Sequence, residues 1–79
     1  MSKFAVLFKC EPNIKTLYGP YDDKGKARED IFKACYEFYD SKIKSFELLN
    51  GTEVFEVFNK YGVLQCSFYL LEMNKMQFN

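Results

Sequence analysis

Apolar and polar side chains alternate from Lys3 to Cys10, with Phe4, Val6 and Phe8 on one side and Ala5 and Leu7 on the other. This period of two predicts a strand whose second face is only partly polar. Glu11-Pro12-Asn13 breaks the pattern, and Ile14 to Tyr18 offers a short strand able to close a hairpin on the first. Gly19-Pro20 is then expected to turn the chain. From about Lys24 to about Ser41 the spacing becomes helical: Ala27, Ile31, Ala34, Cys35 and Phe38 form one stripe. Asp22 or Asp23 is placed to cap it. Lys26–Asp30, Glu29–Lys33 and Lys33–Glu37 supply opposite charges one turn apart on its outer face.

The remainder predicts a β-meander. Ile43 to Leu49 is a strand, Asn50-Gly51 signals a tight hairpin, and Thr52 to Phe58 returns. Asn59 to Gly62 turns again before a last strand from Val63 to Leu71, where Leu64, Cys66, Phe68 and Leu70 share one inner face. The expected order is β(β)αβββ. It implies an α+β fold with a single helix on one face of a four- or five-stranded sheet, antiparallel or mixed. Residues 1–79 make a single domain, with 72–79 expected to be a loosely held C-terminal tail.

Composition adds a core material and removes several partners. Nine Phe and six Tyr let a 79-residue chain bury more area than its length suggests. Eleven basic and eleven acidic side chains cancel, whereas a nucleic-acid-binding module usually shows a basic excess, so the charge balance speaks against that partner. No apolar run is long enough to span a membrane, and the N-terminus has no signal-peptide layout. The chain is expected to be a complete cytoplasmic protein with no membrane partner. Cys10, Cys35 and Cys66 are too few and too widely spaced for a disulfide framework or a metal site and are expected to pack as small hydrophobes.

Chemistry is poorly supplied. The chain contains no His, so the commonest general base is missing. Gly19 to Ala27 approximates a phosphate-binding loop. Its glycines are separated by five residues instead of four, Ala27 replaces the required hydroxyl, and Asp22 and Asp23 repel phosphate. Glu47, Glu53 and Glu56 lie near one hairpin and have room to cluster, but cross-strand pairing or solvation accounts for them better. The expectation is a non-enzymatic protein with no cofactor and no metal.

Two apolar surpluses point to binding instead. Phe32, Tyr36 and Tyr39 fall outside the helix core stripe. A single helix also leaves over one sheet face, on which Ala5, Leu7, Val54, Phe58, Val63, Tyr69 and Leu71 are expected. The alternative for either surplus is coverage by the first hairpin or by the C-terminal tail with Met73, Met76 and Phe78. Phe32, Tyr36, Tyr39, Phe58 and Tyr69 are therefore the candidate anchors for another protein, or for a second copy of this chain. Ten lysines against the single Arg28 suggest an AT-rich genome. In length, composition and lack of catalytic groups the chain is similar in style to small accessory proteins of phages with such genomes. That similarity implies an inhibitor or modulator of a host enzyme or defence system, acting by steric blockade. The alternative is a binder of RNA or single-stranded nucleic acid that uses aromatic side chains on the open sheet face.

Overall fold

The alternating segment at the N-terminus folds as β1 (Phe4–Cys10), antiparallel to β2 (Ile14–Tyr21). These elements belong to a computed structural model that describes residues 3–10, 12–38 and 42–73, with the backbone alone at 37 and 38. β2 runs on through Gly19-Pro20, where a turn was expected. The register slips between Phe4 and Val6, and this bulge carries the Gly-Pro pair along an edge strand, where a missing N–H is tolerated. Gly19 has φ +131°, where a side chain is strained, and a Cβ there would sit tightly, 3.1 Å from the Phe4 carbonyl oxygen.

Asp23 caps α1 (Lys24–Phe38): its Oδ1 accepts the backbone N–H of Lys26 at 2.8 Å, one of the donors that the first turn leaves open. Ala27, Ile31 and Cys35 are buried and Ala34 is half-buried, in line with the predicted stripe. The Phe38 side chain lies outside the described residues. Lys26–Asp30 and Glu29–Lys33 do not close into ion pairs among the described residues. Asp30 instead lies near Tyr21 along one concavity, and burial, followed by this carboxylate, holds the Tyr21 hydroxyl above its ordinary value. The third pair, Lys33–Glu37, involves a side chain outside the described residues.

The meander follows as β3 (Lys42–Glu47), β4 (Glu53–Phe58) and β5 (Leu64–Glu72). Both of its hairpins close on three-residue loops. Leu48 donates to the Thr52 carbonyl at 2.8 Å around residues 49–51, and Asn59 donates to the Val63 carbonyl at 2.9 Å around residues 60–62. Each loop ends on a left-handed glycine, Gly51 at φ +88° and Gly62 at φ +80°. The Asn50-Gly51 signal thus marks a real hairpin, one residue longer than the tightest turn.

The five strands order as β2-β1-β5-β4-β3, with every neighbouring pair antiparallel. β5 inserts between β1 and β4 as the central strand, and α1 links the two edge strands. Val6, Phe55, Val57, Cys66, Phe68 and Leu70 meet Ala27, Ile31 and Cys35 in one core. Phe8 and Phe68 pack across β1 and β5 with ring centroids 5.0 Å apart. Leu64 does not join Cys66, Phe68 and Leu70: the register slips between Val57 and Phe58, which pairs Leu64 with Phe58 and leaves it exposed. Glu72, expected to open a loose tail, belongs to β5, and the Met73 amide donates to the Lys3 carbonyl at 2.7 Å. Residues 74–79 lie outside the described residues.

Ile31 is the largest side chain buried completely under the helix, and removing most of it leaves a cavity. Ile31→Ala is expected to lower the unfolding free energy by about 3 kcal/mol in urea titrations, while Tyr36→Ala changes it by less than about 0.5 kcal/mol. Equal costs for the two would contradict this assignment of the core.

Candidate functional site

The sheet divides the molecule into two chemically different sides. On the helix side, Glu53 at the start of β4 accepts Arg28 Nε at 2.8 Å on one oxygen and Nη2 at 2.6 Å on the other. Lys24 Nζ lies 2.9 Å from Glu53 Oε2. This paired fork ties the N-terminal half of α1 to β4, and the Arg28 hydrogen bonds hold the Glu53 carboxyl below its ordinary value despite burial, which works the other way. Glu47 lies opposite Glu53 in the β3–β4 ladder, while Glu56 falls on the other face of the sheet. The three glutamates therefore do not converge, because strand alternation separates Glu56 from the other two.

Cys10 and Cys66 sit opposite each other across β1 and β5, and Cys35 approaches Cys66 from the helix. Burial pushes the Cys35 thiol up to about 11, so it stays protonated and weakly nucleophilic at neutral pH. Among the described residues no group of three or more Cys, Asp or Glu side chains is arranged to hold a metal. A concavity of about 430 Å³ opens between α1 and the β1–β2 pair, with Phe8, Ile31 and Phe68 inside and Tyr18, Tyr21 and Asp30 among its walls.

On the opposite side, none of the described elements packs over the sheet. The pairing registers place Leu17, Leu7, Tyr69, Val54 and Phe46 directly across from one another on β2, β1, β5, β4 and β3. This is an apolar row across the whole sheet, about 19 Å from edge to edge at normal strand spacing. Its ends are open, with Leu17 55% and Phe46 40% exposed, whereas Val54 at 1% is enclosed between Tyr69 and Phe46. Ala5, beside Leu71 in the next row, is buried as well. Lys15, Lys9, Ser67, Glu56 and Lys44 form the adjacent parallel row on the other flank. The Lys9 ammonium lies 5.5 Å from the centre of the Tyr69 ring.

The five anchors expected from sequence do not form one surface. Phe32 is half-buried and stacks edge-on against Phe55 at 5.4 Å, so it braces the helix on β4. Tyr36 projects from α1 at 77% exposure. Tyr39 lies outside the described residues. Phe58 and Tyr69 are half-buried on the opposite side of the molecule. Of the other residues expected on the open face, Val63 is exposed but lies in the turn before β5.

Leu17 and Phe46, the two exposed ends of the apolar row, were not among the sequence candidates. Leu17 could have been found from the β1–β2 register, since it opposes Leu7. Phe46 could not be placed without the loop length. A two-residue turn at Asn50-Gly51 would pair Phe46 with Phe55 on the helix side, and the extra loop residue pairs it with Val54 instead. Comparison with protein-family models, with curated proteins and with solved structures finds no match to this chain.

The Glu53 fork carries a pH signature. Because its folded-state value is depressed, its contribution is complete above the ordinary carboxyl value of 4.5 and is lost as the pH falls through the lower folded value. Urea midpoints of the wild type are expected to fall on acidification below that range. Glu53→Gln should be less stable by about 1 kcal/mol at neutral pH, a figure kept small because Arg28 and Lys24 are solvated, and its acid slope should be shallower. Parallel acid profiles for the two proteins would show that the fork contributes nothing.

Proposed function

We propose that this chain is a small protein-binding module that works by occupying a partner's surface with the open face of its sheet. The observation that carries this reading is the apolar row Leu17–Leu7–Tyr69–Val54–Phe46, which spans all five strands with no described element over it. A continuous apolar strip at the centre of a charged surround has the anatomy of an interface: a desolvated middle and a polar rim. The aromatic members supply rigid area at little entropic cost, which suits them as anchors.

Binding of this kind acts by steric blockade and needs no reacting group of its own. The lysine-rich, arginine-poor composition supports a role as a small phage-encoded modulator of a host enzyme or defence system. The helix flank is the weaker candidate for the contact, since Phe32 is committed to Phe55 and leaves Tyr36 as the only described aromatic of that group to project.

The reading is tested by affinity capture from a lysate of the cells that make the chain, comparing wild type with Leu17→Ser/Phe46→Ser and with Tyr36→Ser. Both sets of substitutions are at exposed positions, so thermal melts should stay close to wild type. The captured protein should be lost, or weakened by about tenfold or more, in the sheet-face double variant and kept in the Tyr36 variant. The reverse pattern would move the interface to the helix and overturn the proposal.

A further inference from the structure

We infer that the open face selects a protein partner whose apolar ridge is bordered by carboxylates, an inference that rests on the reading of this face as the binding surface. The whole chain is neutral, but this face is not. Lys9, Lys15, Lys42 and Lys44 all lie on it, against a single carboxylate among the described residues, Glu56. None of these four lysines forms an ion pair with another described residue. Lys9 and Lys15 stand directly opposite each other on β1 and β2, an arrangement of like charges that destabilises a ladder and that an anion between them would relieve. Protection of sheet edges accounts for lysines on β2 and β3, because charged edge strands resist unwanted pairing. It does not account for Lys9, which lies on the interior strand β1.

The spacing suits a protein ligand. The basic row lies two residues along the strands from the apolar row, about 7 Å away, so a ridge flanked on one side by Asp or Glu engages both at once. Nucleic acid fits less well. Only two rings, Tyr69 and Phe46, stand in the row, Leu17, Leu7 and Val54 offer no stacking surface, and Glu56 stands among the lysines where phosphates would have to run. A second copy docked face to face would bring four lysines from each side together with only one glutamate from each to offset them.

The probe is a random-peptide display library selected on the immobilised full-length chain, followed by anisotropy titrations of the recovered peptides and of a dT oligonucleotide. The expected peptides combine Leu, Ile or Phe with Asp or Glu. They should bind about tenfold more weakly to Lys9→Glu/Lys44→Glu, and should fail to bind Leu17→Ser/Phe46→Ser. Circular dichroism checks each variant, and Lys9→Ser/Lys44→Ser replaces the reversal if that one unfolds. Apolar peptides without carboxylates that need Leu17 and Phe46 but ignore the lysines would overturn the acidic-partner inference and leave the sheet-face reading standing. Peptides indifferent to both sets of substitutions would overturn both. Tighter binding of the oligonucleotide, lost on lysine reversal, would overturn the inference in favour of nucleic acid. A dimer in light scattering that dissociates in Leu17→Ser/Phe46→Ser would overturn it in favour of a second copy.

Discussion

A single α-helix can bury one face of a five-stranded sheet and no more, and most of this molecule follows from that limit. Most of the fully buried side chains lie on the helix side, where Ile31, Val57 and Leu70 meet, while Val54 is buried on the other. No described element covers the opposite face, which sets Ala5 and Val54 among larger neighbours and borders the apolar row with lysines. The result is a surface that is apolar along one line and hydrophilic beside it.

The helix is held in place by more than its core stripe. Arg28 and Lys24 converge on Glu53 from one flank, Phe32 stacks on Phe55 behind them, and Asp30 lies near Tyr21 on the other flank. These contacts anchor α1 to β4 on one side and to β2 on the other. They also use up residues that, on sequence alone, were free to serve as surface charges or as binding anchors. Phe32 is the clearest case.

Element order and the core stripe were legible in the sequence because both depend on local periodicity, and the helix and all five strands are found where their patterns lie. The apolar row across the open face was legible only in part, because facing depends on register and register depends on loop length. One extra residue in the loop after Leu48 moves Phe46 from the helix side to the open side. A one-residue slip between Val57 and Phe58 separates Leu64 from the inner face to which simple alternation assigns it. Neutral net charge concealed the basic character of the open face for the same reason: a sum over the chain carries no information about which side of a sheet each charge occupies. Lys9, Lys15, Lys42 and Lys44 come together only once the strands are paired.

The central proposal is that the sheet face with no described element over it, and not the helix, meets a protein partner. Methyl-resolved NMR of the labelled chain, recorded with and without its captured partner, tests this most directly because methyl groups report from both sides. The account predicts that Leu7, Leu17, Val54 and Leu71 shift or broaden on binding while Ala27, Ala34 and Ile31 under the helix stay in place. Changes centred on the helix methyls, with the sheet row unmoved, would contradict it.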